Sequence, residues 1–312
     1  MADRLMLLDT ASLYFRAFHG VPQTLTAADG MPVNAVRGLL DMIARLVSDF
    51  EPTQLVACWD DDWRPAWRVD RIPSYKEHRV AEPVPGGVDV EEMPPELVAQ
   101  LPLIREVLAA LDITVVGCAS HEADDVIGSL ATQAEIVVDI VTGDRDLFQL
   151  VDEAQDVRVL YTARGMSKLE VVTDATIVGR YGVLPSQYAD FAALRGDTSD
   201  GLPGVAGIGD KTATSLLQEF LDLDGVIEAA HDPTSSMSAT LRAKISAALD
   251  YLAVAPAVVE VVRNLDLDAI DATIRELDAE HLERLDGLAM QWNFGGSAGR
   301  ALRALGNSPD PT

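Results

Sequence analysis

Cysteine, long hydrophobic runs and positive charge are all scarce in this sequence. Only two of its 312 residues are cysteine, Cys58 and Cys118. Two thiols in apolar surroundings cannot build a disulfide framework or a cysteine-rich zinc site, so we expect a reducing cytoplasm. No run of eighteen apolar residues occurs, which argues against a membrane span. The first residues, "MADRLMLLDTAS", carry no charged leader, and we expect no signal peptide.

Basic residues are outnumbered two to one. The chain has 24 lysines and arginines against 50 aspartates and glutamates, a formal net charge of −26. This balance alone argues against a nucleic-acid partner. Local charge can override net charge, however, and bound divalent cations reverse the local sign of an acidic site. Hydrophobic residues make up 48% and are spread throughout, so the chain should fold into one large domain or two.

Short apolar runs at residues 4–9, 54–60 and 135–144 alternate with helical patterns. Runs without a polar alternation indicate strands buried on both faces, as in a parallel sheet. We therefore predict an α/β region over residues 1–185, with a mostly parallel central sheet flanked by helices. Beyond it the strand signals fade, which predicts a helical region over 186–306 and a frayed tail over 307–312.

Aspartates terminate the three predicted strands. Asp9, Asp60 and Asp144 would share one edge of the sheet, because the carboxyl ends of parallel strands lie together and ligands bind there. A turn in "TGDRD" would bring Asp146 alongside Asp144. The sequence thus predicts an acidic crevice at this edge.

The stretch "HEADDVIGSLA" adds Glu122, Asp124 and Asp125 in the first turn of a predicted helix. A helix N-terminus favours negative charge, which accounts for one acid but not for three. Carboxylates this close need countercharge, and no run of lysine or arginine is adjacent. Divalent Mg²⁺ or Mn²⁺, which prefer hard oxygen ligands, would supply it.

Two further acids, Asp197 and Asp200, occur in "RGDTSDGLPG". Such a stretch is most often a simple turn. Counted with the others it brings the set to nine carboxylates, more than one Mg²⁺ requires. A two-metal site of the kind used for in-line phosphoryl displacement fits this count better.

Residues 204–213, "GVAGIGDKTA", form a glycine-rich loop before a predicted helix. It is either a plain connection between helices or a helix–hairpin–helix type loop whose free N–H groups face a phosphate. A phosphate-binding loop of the Walker A type is excluded, because Asp210 occupies the lysine position and no strand precedes it.

Residues 63–79, "WRPAWRVDRIPSYKEHR", combine five basic residues with two acids and interleaved aromatic rings. This composition suits single-stranded nucleic acid, with charge for the backbone and rings for the bases. The alternative is a solvated amphipathic helix with buried tryptophans. The acidic, proline-rich residues 81–95 that follow are expected to form an exposed loop.

Taken in this order, the motifs resemble the 5′ nuclease (flap endonuclease) family, and most of all the 5′→3′ exonuclease domain of bacterial DNA polymerase I as a free-standing protein. The matching stretches are "LLDTASLYFRAFH", "WDDDWRPAWRVDRIPSYKEHR", "HEADDVIGSLA", "VTGDRDLFQLV" and "LRGDTSDGLPGVAGIGDKTA". The resemblance implies a PIN-like nuclease core, a basic arch at about residues 63–95 and a helix–hairpin–helix region. It also implies cleavage of DNA at 5′ ends and 5′ flaps, and of RNA–DNA hybrids, in replication and repair.

The resemblance also implies roles for individual residues. One metal ion would be held by Asp9, Asp60, Glu122 and Asp124, and the other by Asp144, Asp146 and Asp200. Asp125 and Asp197 would lie close to the reaction, and Lys76 and Arg79 would steer the scissile phosphate. Residues implied to contact DNA are Arg16, Arg68, Tyr75, Gly204, Gly207, Gly209 and Lys211, with a K⁺ ion held at the glycine loop.

Other interpretations remain at this point. A non-catalytic DNA-junction binder would not need nine repelling carboxylates, and a PIN-type RNase is usually shorter. A haloacid-dehalogenase-like phosphatase would need an acid at position 11, where Ala11 stands. Gly201 departs from the family pattern, since it replaces the asparagine usual after "SD", and should loosen that turn. We expect a monomer.

Overall fold

A computed structural model describes residues 3–306; residues 307–312, the predicted tail, lie outside the described part, as do residues 1–2. Within it the strands are β1 Arg4–Asp9, β2 Gln54–Cys58, β3 Val80–Glu82, β4 Val90–Glu91, β5 Thr114–Val116, β6 Val137–Thr142, β7 Val157–Tyr161 and β8 Glu170–Val172. The α-helices are α1 Thr10–Gly20, α2 Asn34–Phe50, α3 Ala66–Val69, α4 Pro95–Val98, α5 Leu101–Ala110, α6 Ala123–Gln133, α7 Asp174–Tyr181, α8 Tyr188–Arg195, α9 Asp210–Phe220, α10 Leu223–His231, α11 Ala239–Ala247, α12 Leu249–Leu252, α13 Ala255–Val259, α14 Ala279–Gln291 and α15 Ser297–Ala304. Short 3₁₀ helices include Glu77–Arg79 and Asp146–Leu150.

The central sheet has six strands in the order β5-β2-β1-β6-β7-β8. All neighbouring pairs are parallel except β7 and β8. The predicted fold class is therefore confirmed. Because β1, β2 and β6 lie side by side, with Leu7 opposite both Val56 and Ile140, their carboxyl ends meet at the middle of one edge.

Two hydrophobic layers cover the sheet, one on each face. Alternate residues of β1 point to opposite sides, as the period of a strand requires: Met6 and Leu8 join one core, and Leu5 and Leu7 the other. The first core contains α1, α2 and α5, and the second contains α6 and α8 to α11. Burial on both faces explains why the strand sequences are continuously apolar.

The C-terminal part of the chain returns to the first layer. Residues 260–278 contain no helix or strand and cross the sheet near β2, where Leu55 N donates to Ala272 O at 2.8 Å. Helices α14 and α15 then pack beside α5 and α2, and Phe294 and Leu302 enter the first core. The predicted helical region over 186–306 thus contributes to both faces of the sheet.

The basic segment is compact in this fold. Its helices are single turns, and the expected exposed loop contains an antiparallel ribbon of β3 and β4. Trp63 and Tyr75 are buried. Within residues 3–306, no helix has the length and apolar character needed to cross a bilayer.

Candidate active site

A cavity of about 220 Å³ opens at the edge where β1, β2 and β6 end. Its acidic lining consists of Asp9, Asp60, Glu122, Asp124, Asp144 and Glu91. Lys76 and Arg79 also line it. Asp9, Asp60 and Asp144, which follow the three predicted strands, therefore do lie together, and the basic segment overhangs them.

Asp9 anchors the first wall of the cavity. It is 5% exposed, caps α1 by accepting from Ser12 N at 3.1 Å, and accepts from the Thr142 hydroxyl at 2.6 Å. Burial raises the pKa of Asp9 to about 7, despite these hydrogen bonds, and the negative charges of Asp60 and Asp144 add to the effect. The carboxyl group therefore lacks a compensating cation.

Asp60 joins the end of β2 to the start of α6. Its Oδ1 accepts from Ala123 N at 2.8 Å, so the acid satisfies one of the free N–H groups of the helix. Burial raises the pKa of Asp60 to about 6, while this hydrogen bond and the Lys76 ammonium oppose the rise.

The three acids of "HEADD" take three different positions. Glu122 is the N-cap of α6 and shares a capping box with Asp125, whose carboxylate accepts from Glu122 N at 3.2 Å. Asp124 faces the cavity, and burial together with Asp9 and Asp144 holds its pKa well above the usual range. Asp125 is fully buried and points away from the cavity toward Arg68.

Glu122 is surrounded by donors. The Tyr75 hydroxyl lies 3.0 Å from both carboxylate oxygens, and the Lys76 ammonium lies 3.0 Å from Oε2. Arg68 Nη1 is 3.3 Å from the same oxygen. Burial alone would lower the pKa of Lys76, but the charge of Glu122 outweighs it and holds that pKa well above its ordinary value.

A second acidic group consists of Asp144, Asp146 and Asp200. Asp144 accepts from Asp146 N at 3.0 Å, and Asp200 O accepts from Lys76 N at 2.9 Å. Burial, followed by the charges of Asp144 and Asp200, raises the pKa of Asp146 well above normal. Burial likewise raises the pKa of Asp200.

Asp197 differs from this group because its charge is already balanced. It lies 3.0 Å from Arg195 and 3.8 Å from Arg145, and accepts from Ser199 N at 2.9 Å. Burial would raise the pKa of Asp197, but the Ser199 hydrogen bonds and the two arginines lower it. The side chain stabilises its turn and does not line the cavity.

The donor set fits a hard divalent cation. Burial, together with the charges of neighbouring carboxylates, raises the pKa values of Asp9, Asp124 and Asp146, and all the donors are oxygens. Among residues 3–306, no three acidic, histidine or cysteine side chains converge on one point as a finished metal site. Binding an ion would therefore require these side chains to rotate toward it.

Two residues predicted to contact DNA, Arg68 and Tyr75, are buried. Arg68 is 2% exposed and Tyr75 3% exposed. Both side chains are occupied with Glu122 and, for Arg68, with Asp125. The composition of the basic segment does not reveal which residues face inward. Of the tryptophans that the alternative expected to be buried, Trp63 is buried, and Tyr75 is buried as well.

Arg16 lies beside Gly143, next to the cavity. Its Nε is buried and has no hydrogen-bond partner in the structure. Burial lowers the pKa of Arg16, as expected of a cation without a close anion. It is thus available to an anionic ligand.

The glycine loop leads into α9, with Gly209 at the N-cap. Gly204 and Gly207 have φ values of +64° and +75°, which glycine adopts without strain. Lys211 is exposed in the first helical turn. The Lys244 ammonium donates to Gly207 O at 2.7 Å, so one carbonyl of the predicted K⁺ site is already bonded.

Two residues that the sequence analysis did not single out also shape the site. Glu91 pairs with Arg79, and Gln149 donates to the carbonyl of Asp146 at 2.8 Å. Glu91 comes from the acidic stretch expected to be a plain loop. No local pattern marks Gln149.

Comparison with known proteins identifies the family of this chain. The profile of the 5′-3′ exonuclease N-terminal resolvase-like domain matches residues 4–182, and that of the 5′-3′ exonuclease C-terminal SAM fold matches residues 183–282. A 5′-3′ exonuclease of Streptomyces coelicolor is 54% identical over 96% of this chain and 99% of its own. One of Mycobacterium tuberculosis is 46% identical over 99% of this chain and 100% of its own.

Among solved structures, the chain is similar in fold to the bacteriophage T5 flap endonuclease in a pseudo-enzyme–product complex with DNA and metal ions. The TM-score is 0.62 at 15% identity, over 97% of this chain and 100% of that one. The likeness extends over the sheet and the helical region alike.

Proposed function

This chain belongs to the 5′-3′ exonuclease family of nucleases, and we propose that it hydrolyses DNA phosphodiesters at 5′ ends and 5′ flaps. The observation that carries the proposal is the cavity in which carboxylates from five places in the chain meet Lys76 and Arg79. Cations beside an acidic, oxygen-rich site suit a phosphate that approaches bound metal ions.

We assign two divalent ions, Mg²⁺ or Mn²⁺, to this site. Asp9, Asp60, Glu122 and Asp124 would hold one, and Asp144, Asp146 and Asp200 the other. When bound, the ions activate the attacking water and stabilise negative charge on the phosphate. Asp125 and Asp197 act indirectly in this proposal, since each is held by arginine.

The protein's own cations would orient the substrate. Arg79 reaches the cavity from the ribbon side, and Lys76 lies between Glu122 and Asp200. Lys76 neutralises Glu122 before an ion arrives and would then be free to contact the scissile phosphate. Arg16, which lies beside Gly143, would bind a neighbouring phosphate through its guanidinium group.

Duplex DNA would rest on the helical region. The N-terminus of α9 presents free N–H groups beside Lys211, which favours a backbone phosphate. The proposed K⁺ would share the loop with Lys244. RNA–DNA hybrids are included among the proposed substrates, because a hybrid presents the same phosphate groups to these contacts. Both cysteines are free, in keeping with action in the cytoplasm.

A non-catalytic junction binder is the second candidate. One observation favours it: the Lys76 ammonium already occupies Glu122. Against it, acids with raised pKa values destabilise the fold at neutral pH, and a protein that only binds DNA has no use for them.

The decisive experiment is cleavage of a 5′-labelled flap duplex in Mg²⁺, Mn²⁺ or EDTA, with Asp144→Asn and Asp61→Asn beside the wild type. Asp61 is an exposed acid outside the cavity lining and serves as the control. Metal-dependent cuts at the junction that Asp144→Asn abolishes and Asp61→Asn retains would support the proposal. Tight flap binding by the wild type without any metal-dependent cut would establish the junction binder instead.

A further inference from the structure

One short segment contacts both the helix that carries Glu122 and Asp124 and the 3₁₀ helix that begins with Asp146. Residues 258–263, here called the bridging segment, run from the end of α13 into the extended stretch that follows. We propose that the bridging segment sets the spacing between the two metal-binding groups, with Gln149 and Arg68 as positioning residues. This inference rests on the proposed function, because it concerns how the same site is assembled.

On one side the segment holds the helix that carries Glu122 and Asp124. Arg68 donates from Nε to Val258 O at 3.1 Å and from Nη2 to Glu260 O at 3.3 Å. Val262 N donates to Asp125 Oδ1 at 2.8 Å. Since Asp125 also forms the capping box of α6, the segment is attached to the first turn of that helix.

On the other side the segment holds the 3₁₀ helix that begins with Asp146. The Gln149 amide donates to Asp146 O at 2.8 Å and to Val259 O at 3.1 Å, and its carbonyl accepts from Val261 N at 3.1 Å. Arg263 Nη2 closes the contact by donating to Gln149 O at 2.8 Å. Gln149 is 4% exposed, and these bonds occupy both ends of its amide group.

The bonds alternate along the segment. Beyond α13, Glu260 and Val262 face Arg68 and Asp125, while Val261 between them faces Gln149. In extended chain, successive backbone groups point to opposite sides, so a few residues can hold two elements at a constant separation. Two-metal chemistry needs ions about 3.5–4 Å apart. The two groups of ligands must therefore be held at a constant distance from each other.

Neither Gln149 nor Arg68 lines the cavity, so both would act through their partners. Supporting hydrogen bonds of this kind typically contribute about 10–100-fold to metal affinity. The segment also continues directly from the helical region, through α13, and therefore couples the placement of that region to the geometry of the site.

The test is Gln149→Met, which keeps the size of the side chain and removes both hydrogen-bonding ends. Two controls match it. Gln133→Met removes a bond from α6 to Leu265 O, just beyond the bridging segment, and Gln100→Met removes a fully buried amide in the first core. Mn²⁺ binding is followed by electron paramagnetic resonance without DNA, and flap cleavage is measured against Mg²⁺ concentration.

We expect Gln149→Met to weaken binding of one of two Mn²⁺ ions by about 10-fold or more and to lower kcat, while the KM for the flap stays unchanged. Gln133→Met and Gln100→Met should keep the wild-type Mn²⁺ titration. If Gln149→Met gives the same titration as the controls, or if all three weaken both ions equally, the inference is overturned.

Arg263→Ala decides the matter if Gln149→Met does not fold, because Arg263 is exposed and its loss is tolerable. Arg263→Ala should weaken binding of the same Mn²⁺ ion by a smaller factor than Gln149→Met does. An unchanged Mn²⁺ titration would refute the inference. A wild type that binds two Mn²⁺ ions but does not cut would refute the proposed function alone.

Discussion

The guanidinium group of Arg68 and the carboxylate of Asp125 form a two-pronged ion pair inside the protein. Nη1 lies 2.9 Å from Oδ2 and Nη2 lies 2.7 Å from Oδ1, with side-chain exposures of 2% and 0%. The pair joins the basic segment to α6, the helix whose N-terminal end carries Glu122 and Asp124. Arg68, expected at the DNA surface, and Asp125, expected close to the reaction, are thus both buried in this pair.

Breaking this pair should destabilise the protein strongly. Arg68→Met leaves Asp125 as a buried charge without a partner, and we expect a loss of about 3–5 kcal/mol in unfolding free energy. The loss for Arg68→Lys should lie between zero and the loss for Arg68→Met, because an ammonium group cannot make both contacts with the carboxylate. Urea denaturation at neutral pH measures the difference.

The matched control is Arg300→Met. Arg300 forms a similar two-pronged pair with Asp41, at 2.8 and 3.0 Å, but both side chains are almost half exposed. Solvent screening should limit its loss to about 0–1 kcal/mol. Equal losses of unfolding free energy for Arg68→Met and Arg300→Met would mean that the buried pair stabilises the protein no more than the exposed pair does.

Stability without metal should fall as the pH rises. Burial raises the pKa of Asp9 to about 7 and that of Asp60 to about 6, from an ordinary 3.8. The folded chain then holds protons that the unfolded chain has released, so their contribution is fully present below about pH 4 and is lost toward pH 7. The Tm measured in EDTA should therefore decrease as the pH rises across this range.

Asp9→Asn should flatten the slope, since its amide does not titrate. Mg²⁺ or Mn²⁺ should raise the wild-type Tm at pH 8, where the acids are ionised and bind the ion. Cleavage should rise from about pH 6 to 8, as Asp60 and then Asp9 lose their protons. Identical slopes for wild type and Asp9→Asn would contradict this account.

Gly201 lies against the basic segment. Its φ is +69°, and an added Cβ would lie 2.0 Å from Ser74 O. The absence of a side chain lets the basic segment approach Asp200, whose carbonyl accepts from Lys76 N. Gly201→Ala should therefore displace Lys76 and lower both stability and flap cleavage.

The comparison for that variant is Gly30→Ala. Gly30 has a φ of +88° but open space around its Cβ position, so it isolates the backbone cost, about 1–2 kcal/mol. In urea denaturation, Gly201→Ala should lose more unfolding free energy than Gly30→Ala. Of the two variants, only Gly201→Ala should impair cleavage. A loss no larger than that of Gly30→Ala, with normal cleavage, would refute the close approach.

Glu91 should restrain Arg79 from binding DNA. The two form an ion pair at the foot of the ribbon, and Glu91 is largely buried. Glu91→Gln removes the competing charge, and we expect the Kd for a flap duplex to fall by about 5-fold at low salt, with less effect at high salt. Fluorescence anisotropy in EDTA measures this binding.

Glu82→Gln, in the same ribbon but exposed, makes the same change in net charge. It should tighten binding less than Glu91→Gln does. If the two variants behave alike, only the overall charge matters and the pair with Arg79 has no specific role.

The sequence by itself determined the sheet and the acids at its edge. Continuous apolar runs define β1, β2 and β6, and parallel strands place their carboxyl ends together, so Asp9, Asp60 and Asp144 had to converge. The helix at "HEADD" followed from its period and its acidic first turn. These inferences depend only on local pattern and on the geometry common to all parallel sheets.

Which acid faces the cavity was decided by the tertiary structure. Asp124 and Asp125 are neighbours with the same side chain, yet Asp125 turns inward because Arg68, 57 positions away, lies there. Gln149 has its partners 110 and 112 positions further along the chain. Ion pairs and hydrogen bonds depend on distance in space, and a buried charge takes whichever partner the fold brings to it.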